Sequence, residues 1–294
     1  MSIPIVQLNS ASYFEDFDGV FDNRIFRSHL KDFEYEGKDT LLSVKVALNL
    51  PEFYYTPQRA YHIPAGHYCI INPKERLISE LHFDQYADAI SIFVSHDLLR
   101  EVFAYWMGRH DGLRTGSLQD VPLPWFTERI TPLHADPLGQ FVTKLWSHPH
   151  QEIGDPDYFY VLAEHMFDSQ RDRWQRVVRI PGRKLSTRLE ALRRVELARD
   201  FIHGHLGQPF TLQKIASAAG MSVYHMSRQF KIVYGISPYQ YALQIKMEHA
   251  ARLLQSSGDA VTDIAGQVGF QDPVNFGKCF KARFGKPPGA MRKG

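Results

Sequence analysis

Cysteine is nearly absent from this chain of 294 residues, with only Cys69 and Cys279 present. Two are too few for a disulfide framework, and they stand too far apart for a zinc knuckle, so both read as reduced thiols that fill space. Long apolar runs are missing as well. No stretch approaches the ~18 uninterrupted apolar residues of a membrane helix. The start, Met1-Ser2-Ile3-Pro4, lacks the basic region and apolar run of a secretory signal. No membrane partner is expected, and the expected location is the cytoplasm. Net charge is small too, +2 at neutral pH, and the 44% hydrophobic and 22% charged content is ordinary for a globular protein. The length exceeds what one compact core usually serves, which favours two domains.

The small total conceals a division of charge. Residues 1–170 hold 13 Lys+Arg against 24 Asp+Glu, and residues 171–294 hold 21 against 8. One half can approach a polyanion that the other repels, the footprint of a nucleic-acid-binding domain joined to something else. Taken alone, such an imbalance also arises by chance between two surfaces.

Hydrophobic patterning divides the chain at the same place. From about Thr40 to Val94 the runs are strand-like, as in Leu41-Leu42-Ser43-Val44-Lys45-Val46-Ala47-Leu48, Tyr68-Cys69-Ile70-Ile71 and Ala89-Ile90-Ser91-Ile92-Phe93-Val94. Turn signals such as Ile63-Pro64-Ala65-Gly66 separate them, and an antiparallel sheet or barrel follows. The period then becomes helical over Leu98 to Met107, Leu138 to Trp146 and Tyr158 to Phe167. Residues 171–186 are basic, contain Pro181-Gly182 and read as an interdomain linker. Everything beyond is helical. The expected fold is α+β in two domains, with residues 1–170 and 187–294 on either side of that linker.

The carboxy-terminal segment repeats itself. Ile215-Ala216, Gly220, Phe230-Lys231, Tyr234-Gly235 and Pro238 recur as Ile264-Ala265, Gly269, Phe280-Lys281, Phe284-Gly285 and Pro288, offset by 49 residues before the recurring Phe-Lys and by 50 from there on. Two copies of one supersecondary unit are implied. Each reads as a short helix, a glycine turn and a second helix. Thr211, Ser222 and Asp272 serve as N-caps, Pro273 fits a first helical position, and Gly235 and Gly285 close the second helices. This is a helix-turn-helix, whose second helix enters the major groove.

Face analysis separates core from outward residues. In the first copy Val223, Met226, Phe230 and Val233 form an apolar stripe, leaving Tyr224, Ser227, Arg228 and Lys231 opposite. In the second, Phe276, Phe280 and Phe284 recur every four residues, leaving Val274, Asn275, Lys278 and Lys281 outward. Arg and Lys donate to guanine, Asn pairs with adenine, and an apolar side chain touches a thymine methyl, so double-stranded DNA is the partner this chemistry suits. The plain alternative is two solvated helix faces. Between the copies, Ser237-Pro238 opens a helix running through Leu253-Leu254, a rod of about 25 Å that suits successive major grooves.

At these residues the chain resembles the AraC/XylS-type transcription regulators. The likeness rests on Ile215-Ala216, Gly220-Met221-Ser222, Phe230-Lys231 and Gly235-Ile236-Ser237-Pro238, then Ala250 and Leu253-Leu254, then Ile264-Ala265, Val268-Gly269-Phe270, Phe280-Lys281, Phe284-Gly285 and Pro288. It implies that Tyr224, Ser227 and Arg228 meet bases in the first unit, and Val274, Asn275 and Lys278 in the second. Lys246 departs from an Arg usual in the linker helix, as do Pro273-Val274-Asn275 and Ala290-Met291-Arg292 from their usual counterparts. For the amino-terminal half, Ile63 to Tyr68 and Ile71-Asn72-Pro73 resemble the strand-turn-strand of a cupin-like antiparallel β-barrel with flanking helices, which in the family binds a small-molecule effector. The helix from Tyr158 to Phe167, or the one before it, would then form a homodimer. RNA polymerase is a further candidate partner.

Two other functions compete. A metal-dependent cupin-like enzyme would use histidines such as His62, His67 and His82, but no His-x-His pair with a following Glu occurs among the strands. The pairs His148/His150 and His203/His205 fall at helix ends, so no enzyme, cofactor or metal is expected. The other competitor is an effector-independent DNA binder whose amino-terminal half only dimerises. In that case Phe53, Tyr54, Tyr55, Tyr61 and Tyr68 are plain core, where the effector reading makes them a pocket lining.

Overall fold

The computed structural model describes residues 5–8, 23–57, 59–111, 118–147, 157–182, 184–208 and 211–292. It divides into two compact units, Met1–Asp172 and Arg173–Gly294. Among the described residues no helix is long and apolar enough to cross a membrane.

The first unit is built on eight strands, β1 Ile5–Leu8, β2 Arg24–Lys38, β3 Leu42–Ala47, β4 Glu52–Tyr55, β5 Ala60–Ile63, β6 His67–Ile71, β7 Arg76–Val94 and β8 Ile130–Pro132. Its helices are α1 His96–Asp111, α2 Pro137–Ser147 and α3 Tyr158–Ser169, where the helical period places them. The expected cupin-like antiparallel β-barrel is met only in part, by a sheet that does not close among the described strands. The described strands make one open sheet in the order β1-β2-β7-β3-β6-β8, with β4 joined to β7 and β5 to β4, and β1 pairs parallel with β2. The cause is the length of β7. One of its edges pairs with β2 from Arg24↔Phe93 to Lys38↔Arg76. Its other edge is shared by β3 near Val94 and β4 near Glu80. The sheet therefore forks instead of returning on itself.

Strand β3 is buried throughout, so its alternation puts Leu42, Val44 and Val46 on one covered face and Ser43 and Lys45 on the other. Lys45 Nζ donates to Ser91 Oγ at 3.1 Å and lies over the Phe93 and Tyr54 rings at 4.4 and 5.1 Å. Beside it, Tyr54 Oη donates to the buried Glu52 carboxylate at 2.5 Å. Burial pushes the Lys45 ammonium down and the Glu52 carboxyl up, and each charge offsets part of the other's shift. Tyr61 and Tyr68 are buried too, donating to Glu128 at 2.7 Å and Asp136 at 2.5 Å. The strand histidines each have a local partner: His62 stacks on Phe53, His67 lies 2.9 Å from the Ala65 carbonyl, and His82 lies 2.6 Å from Asp32. No group of three His, Cys, Asp or Glu side chains able to hold a metal occurs among the described residues. His148 and His150 lie outside them.

The second unit is all helical, with α4 Arg171–Arg179 straddling its boundary, then α5 Leu185–Gly204, α6 Leu212–Ala218, α7 Val223–Tyr234, α8 Pro238–Ser256, α9 Val261–Gln267 and α10 Pro273–Phe284. The segment 171–186, expected as a linker, thus begins with a helix. Trp174, Val177 and Ile180 on it are buried, and Arg173 forms a two-pronged ion pair with Glu196 of α5 at 3.1 and 3.0 Å. Arg176 lies over the Tyr234 ring of α7 at 5.1 Å. Its basic composition reflects these intramolecular bonds as much as solvent.

Candidate nucleic-acid interface

Side-chain caps start three of the four helices in the two pairs, α9 alone beginning at an Ala260 with no capping side chain. In the first, Thr211 Oγ1 accepts from Lys214 N to start α6, and Ser222 Oγ accepts from His225 N to start α7. In the second, the Asp272 carboxylate accepts from Val274 N at 2.8 Å and Asn275 N at 3.3 Å to start α10. Gly220 and Gly269 make the turns at φ of 61° and 72°, where a side chain would clash with its own backbone. Between the units α8 opens on a full capping box, Ser237 with Gln240, with Pro238 in the first turn. Its 19 residues give a rod of about 28 Å.

Packing fixes which side of each second helix faces out. Met226, Phe230 and Val233 are buried on α7, and α5 packs against both α6 and α7. On α10, Phe276 and Phe280 are buried with Met247, Ala250, Leu254, Ile264, Ala265 and Val268, while Phe284 is half-buried at the edge of that cluster. The outward faces carry the residues expected there. Tyr224 and Val274 are 72% and 65% exposed, unusual for large apolar side chains. Arg228, Lys231, Asn275, Lys278 and Lys281 are exposed, and Ser227 is half-buried. His225, exposed beside Tyr224, joins the first face. Its only sequence signal was a place in the first turn of α7, away from the stripe.

Charge pairing varies across the unit. Five arginines are tied to carboxylates, Arg173 to Glu196, Arg193 and Arg194 to Glu190, Arg199 to Asp200, and Arg283 to Glu248, while Arg176 lies over the Tyr234 ring and Arg188 donates to the Gly182 carbonyl. The two arginines on Glu190 hold its carboxyl down at about 2. Among the described residues none of Arg228, Lys231, Lys278 and Lys281 has such an ion pair. The outward faces of α7 and α10 thus carry cations that have no carboxylate partner among the described residues. The His203/His205 pair is occupied locally, His203 lying 3.0 Å from Tyr241 Oη and His205 2.8 Å from the Phe201 carbonyl.

Known proteins match this unit. A family model described as a helix-turn-helix domain covers residues 215–294. The HTH-type transcriptional regulator MtrA of Neisseria gonorrhoeae is 37% identical over 84 residues, 29% of this chain and 28% of that protein. The MmsAB operon regulatory protein of Pseudomonas aeruginosa is 31% identical over 109 residues, 36% of each. Among solved structures, the C-terminal domain of AraT, a response regulator from Geobacillus stearothermophilus, is 33% identical, covering 33% of this chain and 82% of that one, with a TM-score of 0.33. The chain spans about a third of the length of the curated relatives it matches. Over residues 215–294 the carboxy-terminal domain thus matches a helix-turn-helix family model and resembles the DNA-binding domains of AraC/XylS-type regulators.

Proposed function

We propose that this chain is a sequence-specific DNA-binding transcription regulator whose amino-terminal half senses a small molecule. The observation that carries the first part is the pair of outward faces, Tyr224, Ser227, Arg228 and Lys231 on α7 and Val274, Asn275, Lys278 and Lys281 on α10. Their cations have no carboxylate partner among the described residues, whereas five arginines of the same unit do. Such a face attracts a polyanion, and its mix of Arg, Asn and an apolar side chain matches base edges in a major groove. On this reading residues 187–294 hold DNA and residues 1–170 sense and dimerise. Tyr105 of α1 and Tyr160 and Val161 of α3, all exposed, suit a homodimer face, and RNA polymerase is a further partner. No catalytic role, cofactor or metal enters this reading.

The two kinds of contact separate experimentally. Arg228→Ala is expected to weaken binding by ~1–3 kcal/mol on the preferred site and to relax preference at one base position. Lys281→Ala should lower affinity for every sequence and flatten the salt dependence by about one unit of slope. Binding isotherms over a range of salt, on matched and singly substituted duplexes, check both. Unchanged discrimination in the first variant and an unchanged slope in the second would reject the assignment.

The sensing part is supported by the covered face of β3. Lys45 and Glu52 are both buried yet not joined in an ion pair among the described residues, and the buried Ser43 hydroxyl has no hydrogen-bond partner. Buried polar groups left in this state cost stability, and they concentrate where a ligand completes them. A metabolite screen on the full chain should find a compound that raises the thermal midpoint. Ser43→Ala, which has no bond to lose, should shrink that rise. A half that only dimerises predicts no responding compound.

A further inference from the structure

We infer that Lys246 is a positioning residue that fixes the spacing of the two recognition helices, and so the spacing of the two DNA segments the protein accepts. The inference rests on the DNA-binding reading above and adds to it a determinant that touches no DNA. Lys246 lies midway along α8 and is only 7% exposed. Its Nζ donates to the Val268 carbonyl at 2.8 Å and to the Gln208 carbonyl at 3.1 Å. These acceptors belong to different units. Gln208 follows the end of α5, the helix on which α6 and α7 are packed, and is bonded back to His205. Val268 is the C-cap of α9, at the turn that leads to α10. A cation there meets the negative end of the α9 dipole and satisfies carbonyls that a helix end leaves open. One ammonium therefore joins the scaffold of the first unit, the rod between the units and the turn of the second.

The surrounding backbone is shaped around that ammonium. A Cβ on Gly269 would sit 2.6 Å from Lys246 Nζ and 3.0 Å from the Gln208 carbonyl carbon. A Cβ on Gly207 would sit 3.0 Å from the Gln267 carbonyl oxygen. The turn after α5 thus lies directly against the end of α9, with no side chain able to intervene. Each unit keeps its own apolar core, Met226, Phe230 and Val233 in the first and Phe276 and Phe280 in the second. Removing the ammonium leaves both cores in place and removes a bond that sets one against the other.

The test uses full-length protein and duplexes selected from a random pool, each compared with the same duplex carrying one inserted base pair between the two contacted segments. Wild-type protein is expected to bind the inserted duplex about tenfold more weakly, because groove spacing is a geometric constraint. Lys246→Met should reduce that penalty to about twofold while leaving affinity for a duplex holding one segment within about twofold of wild type. Lys246→Gln, which shortens the side chain and removes the charge but keeps a polar head, should relax the spacing in the same way, which keeps the test valid if the Met variant folds poorly. Lys246→Arg, which restores the donors, should recover the penalty. An unchanged penalty in both the Met and Gln variants overturns the inference, as does an equal loss on single-segment and full duplexes. Failure of the wild-type protein to retain any duplex is a different result, which overturns the DNA-binding reading and this inference with it.

Discussion

Phe280→Ala is expected to destabilise the carboxy-terminal unit by ~3–5 kcal/mol and to abolish binding to a full two-segment duplex. Phe280 is completely buried, with the rings of Phe276 and Phe284 at 5.6 and 4.7 Å. The aliphatic side chains of Met247, Leu254, Ile264 and Val268 complete the cluster. Alanine removes a large ring from the middle of this cluster's aromatic row and leaves a cavity that two short helices cannot collapse to fill. Domains are stable by only about 5–15 kcal/mol, so a loss of this size is a large fraction of the total. Phe280→Leu keeps most of the volume and should cost roughly 1 kcal/mol. Urea unfolding of the full chain, followed by the same duplex assay, reads both variants. A cost below about 1 kcal/mol for the alanine variant would mean that α10 is not held by this core.

Trp174→Ala is the second large expected loss, again ~3–5 kcal/mol. Trp174 is entirely buried although it lies in a segment whose composition reads as a tether. Its neighbours on α4 are anchored as well, Arg173 by the Glu196 ion pair and Arg176 by the Tyr234 ring. Had residues 171–186 been a solvated connector, substitution there would register within about ±0.5 kcal/mol. Chemical denaturation of the full chain therefore gives two well-separated answers. A small value would return this segment to the status of a connector.

The signal for that helix was present in the sequence and was outweighed. Trp174, Val177 and Ile180 recur at three-residue spacing, but Arg171 and Arg173 before them, Arg176 and Arg179 between them and the following Pro181-Gly182 resemble a solvated stretch. The helix-turn-helix units were legible because their determinants are local. Ser222, Asp272, Gly220 and Gly269 act on residues within one turn of themselves, and the duplication displays the same solution twice. Strand β2 was not legible. Asp32, Glu34 and Glu36 interrupt its apolar residues, and its register shifts between Leu30 and Asp32, so no clean alternation survives. The open sheet was illegible for a related reason, since it depends on which edge of β7 each distant strand takes. In the sequence Lys246 stands out only as a departure from an Arg. Its partners are backbone carbonyls, which any residue provides, so no side-chain pattern announces a buried cation there.

The length of β7 also bears on the order in which the chain acquires its structure. Arg24 must wait for Phe93, and Lys38 for Arg76, before β2 has a partner. During synthesis the early strand therefore emerges well ahead of the seam that receives it. Contacts this distant along the chain close slowly, whereas the carboxy-terminal helices meet neighbours made moments before. Pulse-labelled amide exchange during refolding should show α7 and α10 protected before β2. Residues synthesised later would then become native before strands synthesised ahead of them.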